Sequence, residues 1–243
     1  MCFFNKRNKE KDLNELSISL PVGKKFFRYD LGTDLPHVWS TDYHSVEYSY
    51  VRGYKNICGA FFFYDNKDTA LDVLTSARKG KDISLNTITS CHLIKEVSLL
   101  DFSKYESPAQ LLFNLYNHGI NVFGKGFCRY GNGPEDDVLI DTLKEDFETI
   151  IHTKKQTLND FSMIIEKTTK INEFFYTKYL RGCECRYIGQ LFTDFDNGPL
   201  FKRMLIQCGS YGYCFRESPT GLTYCLFDSD VLSSPTQEQV NAK

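Results

Sequence analysis

Apolar positions fall into short dense runs separated by polar breaks marked with glycine and proline. Lys24 to Tyr29 predicts a first strand, stopped by Gly32 and Pro36. Ile57 to Tyr64, with Cys58, Ala60 and three consecutive Phe, is a continuous apolar run of the kind found in strands buried on both faces. Asp65 to Thr69 reads as a helix start, since Asp and Asn side chains accept from free amides there. Ala70, Leu71, Val73, Leu74 and Ala77 follow at helical spacing, and Gly80 marks the exit. Thr87 to Leu100 predicts a strand pair or one long strand, and Ser107-Pro108 opens a further helix that Gly119 closes.

The chain then changes character. Gly124, Gly126, Gly131, Gly133 and Pro134 form an irregular hinge, after which no Gly or Pro occurs between Glu135 and Arg181. Leu139, Leu143, Phe147, Ile150, Ile151, Leu158 and Phe161 begin a series at three- and four-residue steps, predicting one long helix or two. Acidic residues at its start and Lys178 and Arg181 at its end suit the helix dipole. Strand-like runs return at Arg186–Phe192, Gly212–Phe215 and Leu222–Phe227, with a short helix at Phe201–Cys208. The class expected is α+β. Residues 1–20 read as a polar arm, 21–233 as a single domain with a helical insertion at about 135–181, and 234–243 as a polar, mobile tail.

Composition narrows the functional classes. With 20 Phe and 15 Tyr and a net charge of −2, the chain has neither the low aromatic content nor the charge imbalance of a disordered segment. No bulk positive field marks a nucleic-acid binder. The basic residues Lys6, Arg7, Lys9, Lys11, Lys24 and Lys25 are interrupted by Glu10, Asp12 and Glu15, and read as a solvated arm. No run of about 18 apolar residues predicts a membrane span. Nine cysteines without a secretory leader point to a reducing cytoplasm.

Several familiar chemistries are missing. Gly124-Lys125-Gly126 lacks the spacing and following hydroxyl of a phosphate loop. Cys183-Glu184-Cys185 offers two thiolates, but no second close pair completes a zinc site, so no metal is expected. Cys91-His92 fails as a nucleophile pair because neighbours on a strand point to opposite faces.

Two segments remain. The first runs from Phe26-Phe27-Arg28-Tyr29 through a Tyr-rich loop to Gly59-Ala60-Phe61-Phe62-Phe63-Tyr64-Asp65 and a helix with Thr69-Ala70-Leu71. The second runs from the Phe201–Leu205 helix through Gly209-Ser210-Tyr211-Gly212-Tyr213 to a strand, an Arg216-Glu217-Ser218 loop and a strand ending Phe227-Asp228. This order resembles the ADP-ribosyltransferase-like superfamily, including its branch of RES-domain toxins. The resemblance implies a split β-sandwich and an enzyme that consumes NAD by cleaving the nicotinamide–ribose bond. It would transfer ADP-ribose to a macromolecular acceptor or deplete NAD, as a toxin or phage-conflict protein with a possible antitoxin or immunity partner.

Residue by residue, the resemblance implies Arg28, with Tyr29 beside it, as the dinucleotide grip, and Phe63 and Tyr64 as the nicotinamide pocket. Glu217 or Ser218 would be the catalytic position. A guanidinium suits a pyrophosphate because it donates from a fixed planar fork. A carboxylate beside the ribose stabilises the positive charge that develops as the bond breaks. Tyr43, Phe63 or Tyr64 can sandwich the nicotinamide ring, and His44 and Tyr48 can line a cleft. The Phe run reads equally as core, and Glu217 as a solvated loop residue. The alternative function is a non-catalytic protein-binding module on the same scaffold.

Overall fold

Both segments fold as strands and belong to one sheet. The computed structural model describes residues 16–40, 58–78, 82–105, 107–118, 157–163, 198–218 and 221–240. Among them lie eight strands: β1 (Ser17–Leu20), β2 (Lys25–Leu31), β3 (Phe61–Tyr64), β4 (Asn86–His92), β5 (Val97–Asp101), β6 (Gly212–Ser218), β7 (Gly221–Leu226) and β8 (Thr236–Gln239). Three helices accompany them: α1 (Lys67–Ala77), α2 (Pro108–Asn117) and α3 (Gly198–Gln207). The chain is α+β, as its pattern predicts. Residues 158–163 are also helical. The rest of the expected insertion, the hinge before it and the Arg186–Phe192 run lie outside the described residues.

The strand order is β1-β5-β6-β7-β3-β2-β4-β8. Only β5 and β6 run parallel among these neighbours. β2 and β3 share a single registered pair, Phe27 with Tyr64, whereas β2 and β4 pair along seven residues. The sheet is therefore narrowest between a block ending in β3 and a block beginning with β2.

Strand alternation sends side chains to two unlike layers. On one face Phe26, Phe61, Phe63, Cys91, Leu99, Cys214, Tyr224 and Leu226 form a core with Trp39 packed on it. On the other, Tyr29, Tyr64 and Ile88 meet Ala70 and Leu74 of α1. α3 buries Phe201 against Tyr213 and Phe227. The helix starts are those expected: Asn66 accepts from the Thr69 amide at 2.8 Å, and Ser107 accepts from the Gln110 amide at 3.3 Å with Pro108 in the first turn. None of the described helices is long and apolar enough to cross a membrane.

Four expectations need correction. The polar arm ends in a strand, because Ile18 and Leu20 face the core opposite Leu99 and Val97. The polar tail contains β8, whose Thr236–Gln239 pair with Ser90–Thr87. This edge strand presents little apolar surface, so hydropathy does not reveal it. The Thr87–Leu100 run gives two strands that are not neighbours; β4 and β5 lie in different blocks. Arg216-Glu217-Ser218 belongs to the end of β6, at a register shift between Phe215 and Ser218, not to a loop.

Gly212 shows how closely β6 and β7 approach. A Cβ at that position would lie 1.8 Å from the carbonyl oxygen of Cys225. Gly212→Ala is expected to lower stability by about 3 kcal/mol, because backbone must move to admit the methyl group. Gly23→Ala, with open space around it and φ of 84°, should cost only the strain of a left-handed alanine, about 1 kcal/mol. Urea unfolding of both variants tests the difference.

Candidate functional site

A single transverse row crosses the core face of the sheet. Asp101 on β5 pairs with Cys214 on β6, Cys214 with Tyr224 on β7, and Tyr224 with Phe63 on β3. The Phe27–Tyr64 pair places Arg28 next to Phe63, and Arg28 in turn pairs with Thr89 on β4 and Thr89 with Gln237 on β8. The row is polar at its ends, aromatic in its middle, and carries one cation, Arg28.

Arg28 is only 1% exposed. Such a charge costs several kcal/mol to desolvate unless it is paired and hydrogen-bonded. Asp30, two residues on and therefore on the same face, supplies the partner. The Arg28 Nε donates to Asp30 Oδ1 at 2.7 Å, and Nη2 is ion-paired with the same oxygen. Thr89 donates its hydroxyl to the other oxygen at 2.5 Å. Nη2 also donates to the Ser40 carbonyl at 3.4 Å, and the guanidinium carbon lies 6.0 Å from the ring centres of both Phe61 and Phe63. Nη1 is buried and has no hydrogen-bond partner among the described residues.

A second polar cluster sits one step away, where β3 passes into α1. Asp65 accepts from Lys24 Nζ at 2.7 Å, the Tyr224 hydroxyl at 2.7 Å and the Leu222 amide at 3.0 Å. Burial works to raise its pKa, but these hydrogen bonds and the Lys24 charge together hold it below the ordinary carboxylate value of 3.8. Burial and the hydrogen bond to Asp65 push the Tyr224 phenol upward, so it stays a neutral donor. The Cys91 thiol is pushed up to about 12 by burial, against the pull of Arg28. Burial, with Asp101 beside it, raises Cys214 as well. Burial favours the protonated thiol at both cysteines.

The expected site residues separate into groups. Arg28 and Phe63 adjoin on the core face. Tyr29 and Tyr64 stack with each other at 6.3 Å on the opposite face, against α1. No one cleft can use both pairs. Glu217 and Ser218 lie at the end of β6, with β7 and β3 between them and Arg28. Three strand spacings put the two positions roughly 14 Å apart across the sheet before any offset along the strands is added. Phe63 and Tyr224 fill the row between. The Glu217 and Ser218 side chains, and Tyr43, His44 and Tyr48, lie outside the described residues.

Sequence reasoning missed Asp30, Thr89 and Trp39. Arg28-x-Asp30 on a strand is itself a pairing signal, since alternate residues share a face. Thr89 comes from a distant strand and Trp39 from the loop after β2, and neither carries such a mark. Among the described residues no group of three or more His, Cys, Asp or Glu is placed to hold a metal ion. In comparisons with protein-family models, curated proteins and solved structures, nothing matches the chain.

Two outcomes follow from the pairings. Arg28→Met should cost about 3–5 kcal/mol, because it strands the Asp30 carboxylate in the core, while Arg28→Met with Asp30→Leu should recover most of that loss. Chemical unfolding of both variants measures it. Asp65, with its folded pKa depressed, adds stability above the unfolded value near 3.8 that is lost as pH falls through the lower folded value. Asp65→Asn should therefore flatten the decline in melting temperature below about pH 4.

Proposed function

We propose that the chain is an NAD-consuming enzyme of the ADP-ribosyltransferase-like kind, cleaving the bond between nicotinamide and ribose. The observation that carries this reading is the Arg28 guanidinium. It is buried on aromatic rings and clamped by Asp30 through Nε and Nη2, with Nη1 unmatched among the described residues. A fixed cationic fork with a spare donor suits one oxygen of a pyrophosphate. The narrowing of the sheet between β3 and β2 also supports a split β-sandwich of that superfamily. In this proposal Glu217, or Ser218 beside it, acts at the ribose, which requires the dinucleotide to extend from β2 toward the end of β6. An ADP-ribose acceptor and an immunity protein belong to the same proposal.

Burial favours a second reading. Phe63 is 0% exposed and Tyr64 2%, with their faces already taken by other side chains. A non-catalytic protein-binding module needs no nicotinamide pocket there.

Free nicotinamide released from NAD by the purified chain separates the two. Under the enzyme reading the wild type releases it. Arg28→Lys, which keeps the charge but loses the fork, should slow release by roughly tenfold. Glu217→Gln should slow it by about a hundredfold or more. No release by the wild type, or wild-type rates in both variants, overturns the proposal.

A further inference from the structure

The segment following β2 lies over Arg28. It leaves the strand through Gly32 at φ 113° and Asp34 at φ 54°, two left-handed residues that turn the chain back across the core face. Its root is fastened to β4 and the turn before it: the Gly32 amide donates to the Leu85 carbonyl at 3.1 Å, and Thr87 donates its hydroxyl to the Gly32 carbonyl at 2.7 Å. Its far end rests on the site. Trp39 packs edge-on against Phe61 and Phe63, at 5.9 and 5.6 Å, the same two rings that lie beside the guanidinium. The Ser40 carbonyl accepts from Arg28 itself.

Between root and tip the segment has little hold on the core. Pro36, His37 and Val38 are exposed, Val38 by 58%. Two bonds tie it to the C-terminal segment instead. Trp39 Nε1 donates to the Ser233 carbonyl at 3.0 Å, and Gln237 Nε2 donates to the Pro36 carbonyl at 3.2 Å. Gln237 stands on β8 in the row that contains Arg28.

We propose that Gly32–Ser40 is a hinged cover over Arg28, anchored by Trp39 and latched by Ser233 and Gln237, which lifts to admit an anionic ligand. The identity of that ligand rests on the NAD reading above; the cover does not. An exposed middle held by two ties, one half-buried at Trp39 and one exposed at Gln237, is what a segment of low local stability requires. Closure reduces apparent affinity by the fraction of molecules that are open, so loosening the latch strengthens binding by the same factor.

Trp39 is the chain's one tryptophan, so its emission reports the cover alone. Gln237→Met keeps the side-chain bulk and removes the donor. Without ligand, acrylamide quenching of Trp39 should rise about twofold in Gln237→Met, with emission moving to longer wavelength and the melting temperature little changed. Gln237→Ala, a second latch variant, should respond in the same direction. Equal quenching and emission in the wild type and both variants overturns the cover. NAD titrated into the full-length wild type should raise quenching as well, and half-saturation should fall in Gln237→Met by the factor seen in its open fraction. Quenching that rises in the variants without any response to NAD keeps the cover and rejects NAD as its ligand. Inorganic pyrophosphate added in place of NAD then shows whether an anion of that class lifts it.

Discussion

Burying a guanidinium in the middle of a sheet constrains everything around it. Arg28 has no solvent to satisfy it, so β2 must bring Asp30 onto the same face and β4 must bring Thr89 opposite. That requirement adds to hydrophobic alternation in setting the β2–β4 register: Asp30 travels with Arg28 on the same strand, but a slip by one residue would take Thr89 to the other face and leave an Asp30 oxygen without its hydroxyl donor. The phenylalanine rings of β3 then enclose the cation. They lower the local dielectric and so raise both the cost of an unmatched donor and its attraction for an anion. Arg28, Asp30, Thr89 and the rings of Phe61 and Phe63 thus form one interdependent set.

The narrow seam between β3 and β2 is the other half of this arrangement. One registered pair holds the two blocks where seven hold β2 to β4. Packing of Phe26 on Phe63 and Tyr224, and of Tyr29 on Tyr64, bridges the seam on the two faces. Aromatic contacts tolerate small changes of angle better than a hydrogen-bonded ladder does. The site is therefore placed where the sheet is held by side chains more than by backbone.

Much of the fold was legible because the residues responsible act locally. Asn66 and Ser107 announce their helices by capping, and the Phe61–Phe63 run announces a strand buried between layers. The strands at the two ends of the chain were hidden for the opposite reason. Thr236–Gln239 is a polar edge strand, and its pairing with β4 depends on a partner some 150 residues earlier, which local pattern cannot supply. For the site, Arg28 stood out in the sequence, but the residues that surround it in the structure, Asp30, Thr89 and Trp39, did not. The resemblance implies Arg28 and Glu217 at one site, and β7 and β3 lie between their strands; strand order is a property of topology that no spacing in the sequence records. Tyr29 and Arg28 part for a local reason instead: adjacent residues on a strand take opposite faces, the rule that already separated Cys91 from His92.

The strand order also bears on how the chain reaches this state. β3 must find β7, β4 must find β8 and β1 must find β5, all across long stretches of sequence. Contacts of such separation make folding slow, because loop closure must precede the interactions that reward it. During synthesis from the N-terminus, β3 and β4 emerge long before β7 and β8, leaving each with an uncovered edge until those partners are made. That interval is when unpaired strands seek other chains. The polar composition of β8 then has a second sense: the last of the described strands to emerge offers little apolar surface to a stranger.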